Sequence, residues 1–332
     1  MFHAYAAPTA KGQLVPYDYS PPALTPSDVE IKIECCGLCY SDVHLIDDDW
    51  KISQYPLVPG HEIVGTVVKT GSHVKDLKVG DRVGVGWQCS ACLSCDSCLS
   101  HNEASCASKI RTCVNRPGGF ADKIIVNYQF AYPIPSKLSS PAAAPLLCAG
   151  STVYTPFRLY EVQAPQSVAV IGIGGLGHLA LQFAHAFGCE VTAISTSPEK
   201  KQEAHKFGAH HFLSLKDLKP SMPAQFDFIL STIHADLEWS LLLTLLKPGG
   251  KLCFVGVPPT DLKIPTRLLI SGNRSICGSG TGSRYYMREM LQFAARHDIQ
   301  AQVETFPMSE INNALLRLKN NQARYRLVLC QT

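Results

Sequence analysis

In the first part of the chain, hydrophobic and polar positions follow one another in short, nearly alternating runs. Residues 29–34 alternate, residues 63–69 are rich in β-branched side chains, and Gly71, Gly80 and Gly84 punctuate the runs. A period of two broken by glycine is the pattern of half-buried strands joined by turns. Residues 120–134 read as further strand, so an antiparallel, barrel-like domain is expected up to about Pro135.

Beyond Pro145 the pattern changes. Residues 168–171 form an unbroken apolar run, followed by a glycine turn and a helical pattern to Phe187. A second strand is expected over 190–194 and a second helix over 198–207, with further strands at 226–230 and 251–255. A helix over 237–246 should be closed by Pro248-Gly249-Gly250. Strand alternating with helix implies a doubly wound parallel sheet. Past Gly282 the pattern predicts a helix over 284–296, a short strand, a helix over 308–318 and a closing strand over 326–329. The fold class is therefore α/β, in two parts.

Composition narrows the function classes. The 332 residues are 46% hydrophobic and 17% charged, enough for two domains with separate cores. A net charge of +3 with no basic block argues against a nucleic-acid partner, including a zinc-ribbon binding module. The first ten residues lack the basic region and apolar core of a signal peptide, and the most apolar stretch, 168–187, is interrupted by glycines and two histidines. No membrane span is expected. Fourteen cysteines without a secretion signal point to thiols and metal ligands in a reducing compartment, the cytoplasm, and not to disulfides.

Those cysteines supply the first candidate chemistry. Cys92, Cys95, Cys98 and Cys106 stand in a Cys-x2-Cys-x2-Cys-x7-Cys register, the kind of set that closes a tetrahedral structural zinc site. An iron–sulfur run would have three residues, not seven, before its last cysteine, and a proline after it where this chain has Ala107. Cys89 extends the spacing backwards, so spacing alone leaves it open as a fourth ligand.

Gly172-x-Gly174-Gly175-Leu176-Gly177 lies between a predicted strand and a predicted helix, the context in which such glycines cradle a dinucleotide pyrophosphate. At the end of the next strand an NAD enzyme normally offers a carboxylate to the ribose. Here Ser195 and Thr196 stand there, with Lys200 and Lys201 following, a set suited to a phosphate and so to NADP(H). Cys39, the His61-Glu62 pair and Cys148 form a further possible zinc set. Position alone leaves each a dull alternative, a core thiol or a turn histidine.

Ordered motifs decide between these. Gly37-Leu38-Cys39-Tyr40-Ser41-Asp42, Gly60-His61-Glu62-x-x-Gly65, Gly80-Asp81-Arg82-Val83-Gly84, the four-cysteine lobe, Gly118-Gly119-Phe120-Ala121, Pro145-Leu146-Leu147-Cys148-Ala149-Gly150 and the glycine turn follow one another along nearly the whole chain. In that order they resemble the zinc-dependent medium-chain alcohol dehydrogenases, most closely the cinnamyl alcohol dehydrogenase-like branch. The resemblance implies a GroES-like catalytic domain over residues 1–143 and 283–332, a Rossmann NADP-binding domain over residues 144–282, two zincs per chain, and hydride transfer between NADPH and an aromatic or aliphatic aldehyde. A polyol dehydrogenase of the same family is the alternative, and a zinc-free enone reductase would lack the Cys39, His61 and Cys148 set. Carried over, Cys39, His61 and Cys148 are catalytic zinc ligands and Glu62 an alternating ligand. Ser41 hydrogen-bonds the substrate oxygen and passes its proton toward His44, and Asp42 orients a ligand histidine. A homodimer, joined through edge strands near 275–279, is also implied. Tyr40, Trp87 and a short segment over 107–117 depart from the branch and bear on the substrate pocket.

Overall fold

The computed structural model describes residues 1–331, and these divide into two compact units, residues 1–151 with 281–331, and residues 152–280.

The first unit is built on a seven-stranded sheet whose centre is the long strand Asp28–Leu38. It pairs antiparallel with Glu62–Thr70, Lys123–Asn127 and Arg326–Cys330. Val29, Ile31 and Ile33 point into the core with Ile63, Val67, Val83 and Phe120, all fully buried. Each such side chain contributes about 1.5–3 kcal/mol on burial, so this alternating face fixes the register. That register sets Gly37 opposite Glu62 and Cys330 opposite Cys35.

The strand expected over 120–134 is broken. Asn127 accepts a hydrogen bond from the backbone of Gln129 at 3.0 Å and turns the chain into a single 3-10 turn, Tyr128–Phe130. An Asn side chain competing for backbone donors outweighs the apolar pattern there. The expectation of thiols without disulfides also fails at one place. Cys35 and Cys330, cross-strand partners with Cα atoms 4.1 Å apart, form a disulfide. A sequence separation of 295 positions hides that juxtaposition from the sequence.

The second unit is a six-stranded parallel sheet in the order His211–Ser214, Glu190–Ser195, Ser167–Ile171, Phe226–Ser231, Leu246–Phe254, Ser275–Gly278. This is the doubly wound order, in which direction reverses beside the first strand. The helix before Leu246 is shorter than expected, Trp239–Thr244. Pro248-Gly249-Gly250 closes no helix. The chain pairs Leu246 with Phe226 and then Lys251 with Phe228, so the residues between bulge from the strand. No helix among the described residues is long and apolar enough to cross a membrane.

Candidate metal centre and dinucleotide turn

Three chain segments bring Cys39, His61, Glu62 and Cys148 together. Their ligand atoms lie within 4.8 Å of one another and all four residues are buried. Cys39 follows the central strand as the N-cap of the helix Tyr40–Asp47. Asp42, three residues on, accepts the Cys39 backbone N–H at 2.9 Å, closing the first turn. The other oxygen of the same carboxylate accepts the Gly60 N–H at 2.9 Å and bonds His61 Nδ1 at 3.0 Å. One buried acid thus fixes the backbone of one candidate ligand and the ring of another, leaving His61 Nε2 as the nitrogen available to a metal.

Glycines let the remaining pieces approach. A Cβ on Gly37 would lie 2.1 Å from Glu62 Oε2, and one on Gly84 would lie 2.6 Å from Leu147, next to Cys148. Any side chain at either position would push a candidate ligand away.

The donor set fits a zinc ion. His61 Nε2 and Glu62 Oε2 are buried with no hydrogen-bond partner, which is costly unless a cation receives them. Glu62 Oε1 is held by Arg326 of the C-terminal strand. Burial pushes the Glu62 carboxyl up to about 7 although Arg326 opposes it. The hydrogen bond from Cys148, with His61 and Arg326 close by, holds the Cys39 thiol well below its ordinary range against the effect of burial. A set already inclined to hold a thiolate is predisposed to a cation.

Around this cluster stand further groups. The Ser41 hydroxyl is 3.6 Å from Cys39 Sγ. His44 lies one helical turn on, its Nδ1 bonded to Asp49 Oδ2 at 2.7 Å. His44 sits between Tyr40 and Trp50, each 5.1 Å away between ring centres. Trp50 meets Trp87 edge-to-face at 6.0 Å, and Trp87 meets His61 in the same way at 4.9 Å. An aromatic wall therefore runs outward from the His61 ring to the exposed Tyr40. Cys113 closes another side of His61, sharing a group with it and Asp42, its thiol pushed up to about 11 by burial.

The cysteine lobe is separate. Cys92, Cys95, Cys98 and Cys106 converge, with Cys92 Sγ 3.9 Å from Cys98 Sγ and 3.5 Å from Cys106 Sγ. Four sulfurs at about 2.3 Å from one ion would be roughly 3.8 Å apart, so this set fits zinc as well. Backbone N–H groups of Ser94 and Cys95 bring the Cys92 thiol down to about 6. Cys89 is outside the set. It is fully buried, and its sulfur accepts from Arg116 at 3.1 Å.

In the second unit, Gly172 through Leu176 form the turn between Ser167–Ile171 and the helix Gly177–Ala186. Gly172 has φ +86°, and a Cβ on Gly177 would lie 1.8 Å from the Gly172 carbonyl, so both must be glycine. A Cβ on Gly174 would meet nothing, which leaves bare backbone where a pyrophosphate can approach. Ser195 is buried at the end of its strand and accepts the Ser197 N–H at 3.1 Å, while Thr196 beside it is exposed. Lys200 reaches back to the Ile173 carbonyl at 2.8 Å, which places its ammonium at the glycine turn.

Sequence reading gave no role to Arg326, Asp49 or Trp50. Arg326 is 264 positions from its partner Glu62. Asp49 lies in a run of three aspartates that reads as a solvated surface. Each in fact has its own partner: Lys319 for Asp47, the Ser53 N–H for Asp48 and His44 for Asp49. An acid just past the helix that carries a candidate relay histidine was the available signal.

Comparison with known proteins agrees with this geometry. Residues 25–136 match the alcohol dehydrogenase GroES-like domain family and residues 175–296 the zinc-binding dehydrogenase family. An aldehyde reductase of Synechocystis is 43% identical over 99% of this chain and 98% of its own length. A cinnamyl alcohol dehydrogenase structure from Sorghum bicolor superposes with a TM-score of 0.94 at 40% identity, covering 99% of this chain and 97% of that one. A Helicobacter pylori enzyme of the same type, solved with NADP(H), gives 0.91 at 33% identity, with 99% and 97% covered. The fold and the centre define an oxidoreductase acting between alcohols and aldehydes. The chain belongs to the zinc-dependent medium-chain alcohol dehydrogenases, in their cinnamyl alcohol dehydrogenase-like branch.

Proposed function

We propose that this enzyme reduces aldehydes with NADPH, and runs in reverse on the alcohols, at the centre formed by Cys39, His61 and Cys148. The observation that carries the reading is the buried pair of unpartnered lone pairs, His61 Nε2 and Glu62 Oε2, facing two thiols. When bound, zinc polarises the carbonyl oxygen and the nicotinamide supplies the hydride.

The chain's own residues do the rest. Cys39 and Cys148, as thiolates, would hold the ion and balance its formal charge. Asp42 keeps the His61 tautomer that presents Nε2. Glu62, tethered through one oxygen to Arg326, would offer the other to the metal. Ser41 gives its proton to the developing alcohol oxygen, and His44, oriented by Asp49, restores it from solvent. Trp87 and Trp50 favour flat, conjugated aldehydes over polyols, because an aromatic wall offers no partner for a row of hydroxyls.

Gly172, Gly174, Gly175, Leu176 and Gly177 take the pyrophosphate, and Thr196 and Lys200 the ribose phosphate, with Ser195 shaping the turn. The twelve free cysteines fit a reducing cytoplasm, in which the Cys35–Cys330 disulfide would be the exception. Pairing of two copies along the unpaired edge of Ser275–Gly278 would make a homodimer.

Zinc analysis and an NADPH-oxidation assay over aromatic aldehydes, aliphatic aldehydes and, in reverse, polyols test the reading. Two zincs and a kcat/KM for NADPH at least about tenfold above that for NADH are expected. Equal use of NADH removes the cofactor assignment, and preferred polyol oxidation removes the substrate assignment.

A further inference from the structure

Gly172, Gly174 and Gly175 have no side chain to anchor the turn they form, and glycine gives up more conformational freedom on ordering than any other residue. The turn is held from outside. Its ties come from the ends of the two strands that flank Ser167–Ile171 in the sheet. On one side Lys200, just past Glu190–Ser195, bonds the Ile173 carbonyl at 2.8 Å. On the other the chain leaves Phe226–Ser231 through Thr232. Its hydroxyl lies 2.9 Å from both the Ile171 and the Gly172 carbonyl oxygens.

Register and packing put Thr232 there. Ser231 is the cross-strand partner of Ile171, and the Thr232 N–H extends that ladder by donating to the Ile171 carbonyl at 3.1 Å. The next residue is wedged between two glycines. A Cβ on Gly172 would lie 2.2 Å from Ile233 Cγ2, and one on Gly256 would lie 2.2 Å from the Ile233 carbonyl oxygen. The backbone beside Thr232 is thus fixed, and its β-branch restricts χ1. The hydroxyl has one proton and shares it between two carbonyls. Both lie at the crevice between Ser167–Ile171 and Phe226–Ser231, where the strand order reverses and dinucleotides cross.

The direction of the tie matters. In a trans peptide a carbonyl and the N–H of the following residue point opposite ways. Holding the Gly172 carbonyl to Thr232 therefore turns the Ile173 N–H away from Thr232, and Lys200 does the same for the Gly174 N–H. Among the described residues nothing accepts from the N–H groups of Ile173, Gly174, Gly175 or Leu176. These donors are left to an anion. Lys200 is also proposed to meet the ribose phosphate, so its hold on Ile173 competes with a second task. The Thr232 hydroxyl bonds the turn alone.

We propose that Thr232 is a positioning residue for the dinucleotide: its hydroxyl, tied to the Ile171 and Gly172 carbonyls, fixes the glycine turn with its N–H donors facing the pyrophosphate. The inference rests on the assignment of that turn to NADP(H). Thr232 acts through the turn and takes no part in hydride or proton transfer. The pyrophosphate is common to NADPH and NADH, so loss of the tie weakens both alike. Loss of a group that meets the ribose phosphate weakens NADPH alone.

Thr232→Val keeps the shape and the β-branch but removes the donor, and Thr232→Ser keeps the donor. Dissociation constants for NADPH and NADH are measured on the zinc-loaded enzymes by calorimetry, and amide exchange is followed without cofactor. In Thr232→Val both constants should rise by about fivefold to tenfold. Exchange should quicken within residues 172–179, where the Gly172, His178 and Leu179 N–H groups bond the Ile194, Gly174 and Leu176 carbonyls, while the rest of the sheet keeps its protection. Thr232→Ser should bind both cofactors within about twofold of the unaltered enzyme. Thr232→Ala serves the same comparison if Thr232→Val folds poorly.

Unchanged affinity in Thr232→Val overturns the proposal, as does weaker binding with no change in exchange over 172–179. A loss confined to NADPH overturns it by placing the effect at the ribose phosphate. A Thr232→Ser variant as weak as Thr232→Val overturns it by making the methyl group responsible. An unaltered enzyme that binds neither cofactor overturns the reading of the turn itself, and the proposal falls with it before any variant is made.

Discussion

The chain carries two sets of metal-competent side chains, and they differ in almost every physical respect. The lobe set lies within residues 92–106, consists of four thiols, and leaves Cys92 exposed. The inner set spans residues 39–148, mixes two thiols with an imidazole and a carboxylate, and is wholly buried. Four thiolates around one divalent ion leave a formal charge of −2 and a closed tetrahedron, so nothing further can bind. Backbone N–H groups of the lobe are aimed at that excess charge. Two thiolates and a neutral histidine leave no net charge and one open position, which is what a substrate oxygen needs. On this contrast the inner set, and not the more conspicuous lobe, is the proposed reacting centre.

The sharpest way to break this contrast is to remove one ligand from the inner set. Cys148→Ala should cost at least about 10³-fold in turnover, lower metal content by one ion per chain, and leave thermal stability nearly unchanged, because the site adds little to a core already formed by the sheet. Turnover within tenfold of the unaltered enzyme would mean that the inner cluster is not the reacting centre. Asp42→Asn tests the orienting carboxylate and should be milder, about 10–100-fold in activity or metal affinity. The amide can still accept from Cys39 or Gly60 but no longer holds the His61 tautomer by charge. An unaltered metal affinity, measured by competition with a chelator, would show that the Cys39 and Gly60 contacts suffice without it.

How much of this is legible in the sequence follows the same divide. The lobe can be read from spacing, because a loop of fifteen residues brings its own ligands together. The glycine turn can be read because strand, turn and helix are contiguous, and the two large sheets emerged from periodicity, although Val303–Pro307 joins the expected antiparallel sheet as a parallel partner of Arg326–Cys330. The inner cluster depends on the register of Asp28–Leu38 against Glu62–Thr70 and on Leu147 lying over Gly84, contacts that no local pattern encodes. Only the ordered motifs of a family pointed to it. Arg326, whose contact with Glu62 crosses 264 positions, and the Cys35–Cys330 disulfide were invisible for the same reason. The failed strand over 120–134 has a different cause, a single side chain, Asn127, overriding an apolar pattern.

The smallest effect on chemistry should come from the lobe, and its propagation can be traced. Cys106 follows the 3-10 turn Glu103–Ser105, and buried Glu103 holds Arg284 through Nε at 2.8 Å and through its backbone N–H at 3.3 Å. Arg284 opens the helix Arg284–Arg296, which packs on the same unit through Met287 against Gly86. Cys106→Ser should therefore release one zinc, lower Tm by roughly 10 °C, and raise amide exchange both near residues 100–110 and at the start of that helix. Turnover measured well below Tm should stay within about threefold of the unaltered enzyme, since the lobe cysteines form a group separate from Cys39, His61 and Cys148. If turnover instead fell as far as it does in Cys148→Ala while Tm held steady, the lobe would be part of the reacting machinery, and the division between a closed staple and an open centre would be lost.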